Sequence, residues 1–373
     1  MTVVDKGGTP KSASTEAGSF GLPSKQAHLV GSLIGTAMGD SIGLPYEGLS
    51  RHRGAKMLGA PTRQRLFFGH GMVSDDTEHA CMTAQALIVS GGDVAVFRKN
   101  LASRLRWWLL PLPAGVGLAT ARAILRLWVG ISPERSGVFS AGNGPAMRAP
   151  IIGAAIDDMH ALRALVRAST RLTHTDEKAE VGALAAALAA HMAARQGQVA
   201  GDDFLAQLTA LLAGEGGEFL ALMRRAVQAA NQGQTTQEFA AALGLERGVS
   251  GYMWHTLPVV IHAWLTHQND FRAAIISIVE CGGDTDSTAA ILGGIVGASC
   301  GPTGIPAEWQ SALLEWPRSI RWMTRLGRVL AQAPVAGVKK RVRDLFFPVV
   351  LLRNVFFLGV VLFHGLRRLL PPY

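Results

Sequence analysis

Ser74-Asp75-Asp76-Thr77 and Gly282-Gly283-Asp284-Thr285-Asp286-Ser287 lie in the first and last quarters of the chain and are chemically alike. Each sets two carboxylates beside a hydroxyl. Together they offer hard oxygen donors with no thiolate and no obligatory imidazole, the set that suits Mg²⁺ or Mn²⁺. The pair therefore predicts a binuclear hard-metal site. The plainer explanation is capping, since Asp and Ser ahead of an apolar helical run satisfy orphan backbone N–H groups. Each cluster holds one carboxylate more than a cap needs, in a chain that is only 17% charged. Capping and ligation are also compatible, because a residue at a helix start presents its oxygen rigidly.

Three further groups could do chemistry. Asp40 and Glu47 fall in the Gly/Pro-rich segment Gly39–Gly48, where the chain is expected to turn. The glycine-rich run Ser136–Arg148 contains Ser140, Gly142, Asn143 and Gly144. A loop of that kind exposes N–H groups that can cradle an anion such as a diphosphate, although Gly-Asn-Gly is more often a plain turn. Thr173-His174 precedes a helix expected to begin near Asp176, and a lone histidine is by default a capping or core residue.

The elements that must position these groups read as helices. The 373 residues are 49% hydrophobic but only 7% aromatic, and few runs alternate like half-buried strands. Ala-rich stretches such as Val181–Ala194 and Ala226–Ala230 combine high helix propensity with small side chains. An all-α fold is expected. Helices are predicted over about Gln26–Met38, from Ser74 to about Val89, over Val94–Leu109 and over Thr285–Ser299. Gly31, Gly35 and Gly39 on the first, and Gly293, Gly294 and Gly297 on the last, would let helices approach closely and bring the two acidic clusters together.

Cys81, Cys281 and Cys300 show no CxxC spacing and cannot all pair, which excludes a disulfide framework or zinc ribbon and suits a reducing cytoplasm. Residues 1–24 read as a disordered leader without the apolar core of a secretory signal. Residues 25–333 read as one domain, and 334–373 as a tail. From Arg318 onward there are eleven Lys/Arg against Asp344 alone, a charge of +10, leaving 25 basic and 26 acidic residues before it. The tail alternates basic and apolar: Lys339–Arg343, Leu345–Leu352, Arg353-Asn354, Val355–Phe363, Arg367-Arg368. Arg353 near its centre would cost a few kcal/mol in a spanning helix. Three settings remain open: a shallow helix on an anionic membrane surface, a spanning anchor, and a helix packed on protein. No stacking platform or known module points to nucleic acid. Cutting the chain before Val335 is expected to leave a soluble, active core.

Five motifs in order resemble those of ADP-ribosylglycohydrolases, a family that includes the dinitrogenase reductase-activating glycohydrolase. They are Gly35–Glu47, Ser74–Thr77, Gly142-Asn143-Gly144 with Ala146-Met147-Arg148, Thr173-His174 and Gly282–Ser287, within residues 26–305. The resemblance implies a compact all-α fold with two Mg²⁺ or Mn²⁺ ions at the bottom of an ADP-ribose cleft. Ser74, Asp75 and Asp76 would ligate from one side, and Asp284, Asp286 and Ser287 from the other. It makes Glu47 and Asp286 the catalytic carboxylates. Ser140, Gly142, Asn143 and Gly144 match the loop around the diphosphate and distal ribose, His174 a distal-ribose contact, and Tyr252 an aromatic near the adenine.

The implied activity is hydrolysis of the bond between ADP-ribose and a protein side chain or other conjugate, through an oxocarbenium-like state. Ser74 and Ser287 stand where Thr is commoner, and each keeps the hydroxyl. Leu112-Pro113-Ala114-Gly115 lacks the Asp that the nitrogenase-regulating branch carries between Pro and Gly, so arginine-linked ADP-ribose is not assured as substrate. A binding protein that holds ADP-ribose without turnover, and a structural role of the kind some J crystallins show on this fold, are the rivals.

Overall fold

The computed structural model describes residues 24–333, 342 and 344–371. Apart from Ser24, the leader expected over 1–24 lies outside the described residues, as do the basic residues of Lys339–Arg343. Among the described residues there are seventeen α-helices and one two-stranded sheet, so the fold is all-α.

The first helix, Lys25–Gly43, is capped by Ser24 and buried from His28 to its end. It lies antiparallel to Thr285–Cys300, which is buried almost throughout. A Cβ on Gly31, Gly35, Gly39 or Gly43 would stand 2.1, 2.1, 1.9 or 2.3 Å from the carbonyl oxygen of Gly297, Gly293, Ala289 or Thr285. Backbone touches backbone along four turns. This contact explains why the first helix does not stop near Met38: Gly39 and Gly43 are contact positions, and the turn is delayed to Leu44–Tyr46. The pairing sets the carboxyl end of one helix, with Asp40 and then Glu47, beside the amino end of the other, with Asp284 and Asp286.

Other helices enclose this pair. Asp75–Ser90 packs against the first helix, and the Ala-rich Glu177–Gln196, capped by Asp176, lies against Thr285–Cys300. The sheet is small but strategic: Leu49–Ser50 pairs antiparallel with Gly282–Gly283. Gly48 N–H donates to Gly283 O at 2.7 Å, and Asp284 N–H to Val249 O at 2.7 Å. The Glu47 turn, the second acidic cluster and the loop before Tyr252 are thus stitched at Gly283.

The tail forms a helix, Phe347–Arg367, one face of which packs on the body. Arg353 and Asn354, which the sequence sets mid-helix, are 1% and 0% exposed. Arg353 pairs with Glu315 at 2.5 Å, and Phe357 and Val360 join Leu44, Leu66 and Met72 in an apolar cluster. A chain cut before Val335, expected from the sequence to keep an active core, would lose these contacts. Removing Arg353 would leave Glu315, itself fully buried, without its counter-charge, and breaking a buried pair from one side costs about 3–5 kcal/mol.

Candidate active site

Asp40 organises the first cluster. Its fully buried carboxylate accepts from Ser74 N–H at 2.9 Å, Thr77 N–H at 3.2 Å and Thr77 Oγ1 at 2.5 Å, fixing the start of Asp75–Ser90 against the first helix. The sequence alone gives Asp40 no such task. The available signal was an acid one turn after Thr36 on a helix otherwise lined with glycine, where an unpaired charge could not be tolerated.

Ser74 is the N-cap, accepting from Asp76 N–H at 3.3 Å. Asp76 accepts only from hydroxyls, and Asp75 meets no backbone N–H beyond its own. Asp284 occupies the N-cap position of Thr285–Cys300, yet its side chain caps nothing; it accepts from Asn143 Nδ2 at 2.7 Å instead. Capping therefore accounts for one serine and for none of the four carboxylates. The two clusters meet directly, because Ser287 Oγ and Ser74 Oγ both donate to Asp76 Oδ2 at 3.1 Å. Asp76 and Asp286 are buried, whereas Asp75, Asp284, Ser287 and Glu47 are half-exposed, so the group has a floor and a mouth.

Electrostatically the site is frustrated. Burial, and then the neighbouring carboxylates, push Asp76 and Asp286 well above the ordinary carboxyl range, and Asp75 with them. Glu47 is raised by burial and by Asp284, against the opposing pull of Arg368. Among the described residues, Oδ1 of Asp76 and Oδ1 of Asp286 are buried with no hydrogen-bond partner. Orphaned anionic oxygens at the centre of a carboxylate cluster are what a divalent cation would satisfy, and the all-oxygen donor set fits Mg²⁺ or Mn²⁺. The carboxylates do not close into a finished shell: among the described residues no three His, Cys, Asp or Glu side chains are disposed to hold one ion. Two of the expected donors are serine hydroxyls, and their protons supply to Asp76 Oδ2 the positive ends that a cation would replace.

The loop Ser140–Gly144 lies beside this floor. Ser140 Oγ accepts from Gly142 N–H at 3.3 Å, Asn143 N–H donates to Gly251 O at 2.9 Å, and Gly142 bridges to Tyr252. Asn143 also donates to Thr256 Oγ1 at 3.1 Å, so besides lining the loop it ties that loop to Asp284. A side chain on Gly251 would intrude here, with its Cβ 3.0 Å from Asp284 Oδ2. His174 is brought to the same loop by a buried arginine. Arg148 donates to Thr173 Oγ1 at 2.7 Å, and His174 Nδ1 lies 2.9 Å from that oxygen. Its Nε2 then faces Gly142, 3.2 Å from where a Cβ would stand. Burial, and next Arg148, push His174 down to about 3, so the ring is a neutral hydrogen-bonding group. Tyr252 is half-exposed at the rim, its hydroxyl accepting from Lys178 Nζ at 2.8 Å. Opposite, Gly115 of the Leu112–Gly117 segment sits over Asp75, its would-be Cβ 3.0 Å from Asp75 Oδ1.

The two acidic clusters, Glu47, the Ser140–Gly144 loop, His174 and Tyr252 thus form one connected group, and a family model described as ADP-ribosylglycohydrolase matches residues 22–338. The chain belongs to this family. A Rhodospirillum rubrum protein named ADP-ribosyl-[dinitrogen reductase] glycohydrolase is 26% identical over 307 residues, 80% of this chain and 95% of the relative. The chicken protein named ADP-ribosylhydrolase ARH3 is 26% identical over 337 residues, 77% of this chain and 89% of its own. A solved structure named ADP-ribosylglycohydrolase-related protein complex aligns with a TM-score of 0.61 at 25% identity, covering 83% of this chain and 98% of that one. Membership in the family supports hydrolysis of ADP-ribose linkages.

Proposed function

We propose that this protein is a hydrolase dependent on two Mg²⁺ or Mn²⁺ ions that cleaves the glycosidic bond joining ADP-ribose to a protein side chain or another conjugate. The observation that carries this reading is the junction of the two acidic clusters at Asp76, beside the partnerless oxygens of Asp76 and Asp286. Ser74, Asp75, Asp76, Asp284, Asp286 and Ser287 would hold the cations. Cations there supply charge neutralisation and Lewis-acid polarisation of the ribose hydroxyls and of water. The chain's own groups do the rest. Ser140–Gly144 and His174 orient the diphosphate and distal ribose, and Tyr252 offers a ring to the adenine. Glu47, raised above the ordinary carboxyl range, can hold a proton for the departing group and take one from water, a contribution of about 10²–10⁴-fold. Ala114 is packed among apolar side chains, and Leu112–Gly117 holds no carboxylate to pair with a guanidinium acceptor. The test is metal-dependent release of ADP-ribose from arginine-, serine- and nucleic-acid-linked substrates, beside Asp286→Ala. Affinity for ADP-ribose in titration calorimetry without any release would favour the binding-protein alternative.

We place this activity in a reducing cytoplasm, because the three cysteines are free and burial pushes each thiol up to about 12. We also propose an anionic membrane surface as a partner. Phe347–Arg367 is, among the described residues, the one helix long and apolar enough to cross a membrane, but Arg353 and Asn354 are committed to the protein. Its outward Leu352, Val355, Leu362, Phe363 and Leu366 are exposed, and the sequence flanks them with Lys339–Arg343 and Arg367. A shallow surface contact fits that arrangement. Leu362→Asp with Phe363→Asp should abolish co-sedimentation with anionic liposomes; undiminished binding would defeat the membrane reading.

A further inference from the structure

The family match ends at residue 338, yet the helix beyond it, Phe347–Arg367, reaches three segments that carry the site. Arg353 donates to Val73 O at 2.6 Å, and its partner Glu315 accepts the Val73 N–H at 3.3 Å. One buried ion pair thus brackets both polar groups of the residue before Ser74. Asn354 donates to Pro111 O at 2.9 Å, and Phe357 and Val360 share an apolar cluster with Ala114, so the segment lying over Asp75 is held from behind. Arg368, one residue past the helix, donates to Leu44 O at 3.4 Å and Pro45 O at 3.2 Å, just ahead of Glu47, and its own carbonyl accepts from Arg53.

These contacts are not what simple docking requires. Arg353, Phe357, Val360, His364 and Arg368 follow one another at steps of three or four residues, a single stripe along the helix. Apolar residues along that stripe would dock the helix without the desolvation cost of a buried guanidinium. Instead Arg353, His364 and Arg368 on the stripe, and Asn354 beside it, carry hydrogen-bonding groups that, besides the Glu315 carboxylate, meet backbone carbonyls: Val73, Pro111, Leu44 and Pro45, with Leu66 meeting His364. Directional bonds to main-chain oxygens fix where a segment sits, which apolar contact does far less well. Four of those carbonyls lie within four residues of Asp75, Gly115 or Glu47.

We propose that Phe347–Arg368 is a strap built into the active site from outside the family domain, with Arg368 as the positioning residue for the Glu47 turn. The proposal rests on the reading of Glu47 as the acid/base residue, so it needs a measurement independent of turnover.

The test compares the full chain with Arg368→Met, which keeps the stem and removes the donors, and with Arg368→Lys. Because Arg368 is half-exposed, the Met variant should melt within about 3 °C of wild type and keep its thermal shift with Mg²⁺. Amide hydrogen exchange over Leu44–Ser50 should quicken about threefold or more as the local hold is lost. kcat for ADP-ribose release should fall about tenfold with KM changed less than about twofold, as expected when a reacting group is misplaced while binding is spared. Lys should recover part of kcat. Unchanged exchange overturns the proposal, and so does quickened exchange with unchanged kcat in an active enzyme. If the wild-type protein releases no ADP-ribose, the hydrolase reading falls while the exchange comparison still decides the strap. Should the Met variant melt early, the same comparison is read on the Lys variant.

Discussion

Ser287 Oγ donates to Asp76 Oδ2 across 3.1 Å, joining residues 211 positions apart. That bond exists because Gly43 of one helix rests on Thr285 of the other, so the two acidic clusters can face each other only while these backbones stay in contact. The junction of the acidic clusters, the Glu47 turn and the Gly282–Gly283 strand all depend on the same glycine stripe.

Gly35→Leu should accordingly unfold the protein. Its Cβ would stand 2.1 Å from Gly293 O, a main-chain atom that cannot swing aside as a side chain could. Overpacking costs about 1–3 kcal/mol where side chains can adjust, and more is expected between two backbones. Circular dichroism melting should show a large loss of stability or insoluble protein. A Gly35→Leu variant melting like wild type would contradict the close helix contact.

Asp286→Asn separates metal binding from fold. The buried Asp286 oxygen without a partner faces the charges of Glu47, Asp284 and Asp76, so neutralising it removes repulsion in the metal-free protein. The metal-free variant should melt at or above the wild-type temperature at pH 8. It should also lose most of the Mg²⁺- or Mn²⁺-induced thermal shift and at least about 10²-fold in ADP-ribose release, as follows from the place of Asp286 in the proposed cation set. A variant that melts lower than wild type without metal, and keeps its metal response, would remove Asp286 from the cation set.

The same frustration sets a pH dependence whose direction can be derived. The folded carboxyls of Asp286, Asp76 and Asp40, the last raised to about 7, lie above their unfolded values. Their stabilising contribution is complete below the unfolded carboxyl pKa of about 4 and is lost as pH rises through each folded value, about 7 for Asp40. Buried neutral histidines act the other way: His174 and His79, both lowered, cost stability as pH falls below the unfolded value of about 6.5. The two trends overlap in a bare melting curve. They separate in the difference between Asp286→Asn and wild type, because the histidines are common to both. That melting-temperature difference, without metal, should grow from pH 5 to pH 8 and shrink when Mg²⁺ is added. A difference that is flat with pH would show that Asp286 keeps an ordinary carboxyl pKa.

Much of this was legible in the sequence because it rests on local rules. Small residues at four-residue spacing announce close helix packing, and carboxylates in excess of capping announce the acidic junction at Asp76. The first helix ran past Met38 because tertiary contact at Gly39 and Gly43 outweighed the turn signal of the Gly/Pro-rich segment after it. The sequence marks Asp40 as a chemical group but gives it no task, because its partners, Ser74 and Thr77, are more than thirty positions away and backbone N–H groups leave no trace in sequence. Arg353 was read as a penalty to membrane insertion, which it is; that it answers Glu315 required knowing which face of the helix meets the body. Periodicity alone cannot name a partner.

Arg353 also gives the last prediction its form. Arg353→Met leaves Glu315 buried beside Val73 without its counter-charge, and should cost about 3–5 kcal/mol. Glu315→Leu leaves Arg353 near Glu78, at 3.7 Å, which already pairs with Arg318 at 2.6 Å, so the stranded charge retains part of its compensation and the loss should be smaller. The double variant replaces the pair with apolar side chains and should recover at least about 1 kcal/mol of the summed single losses, the coupling expected of groups in contact. Chemical denaturation of all four proteins measures this directly. Additive losses would mean that the pair does not act as a unit, and that the strap holds Val73 through its packing rather than through its charges.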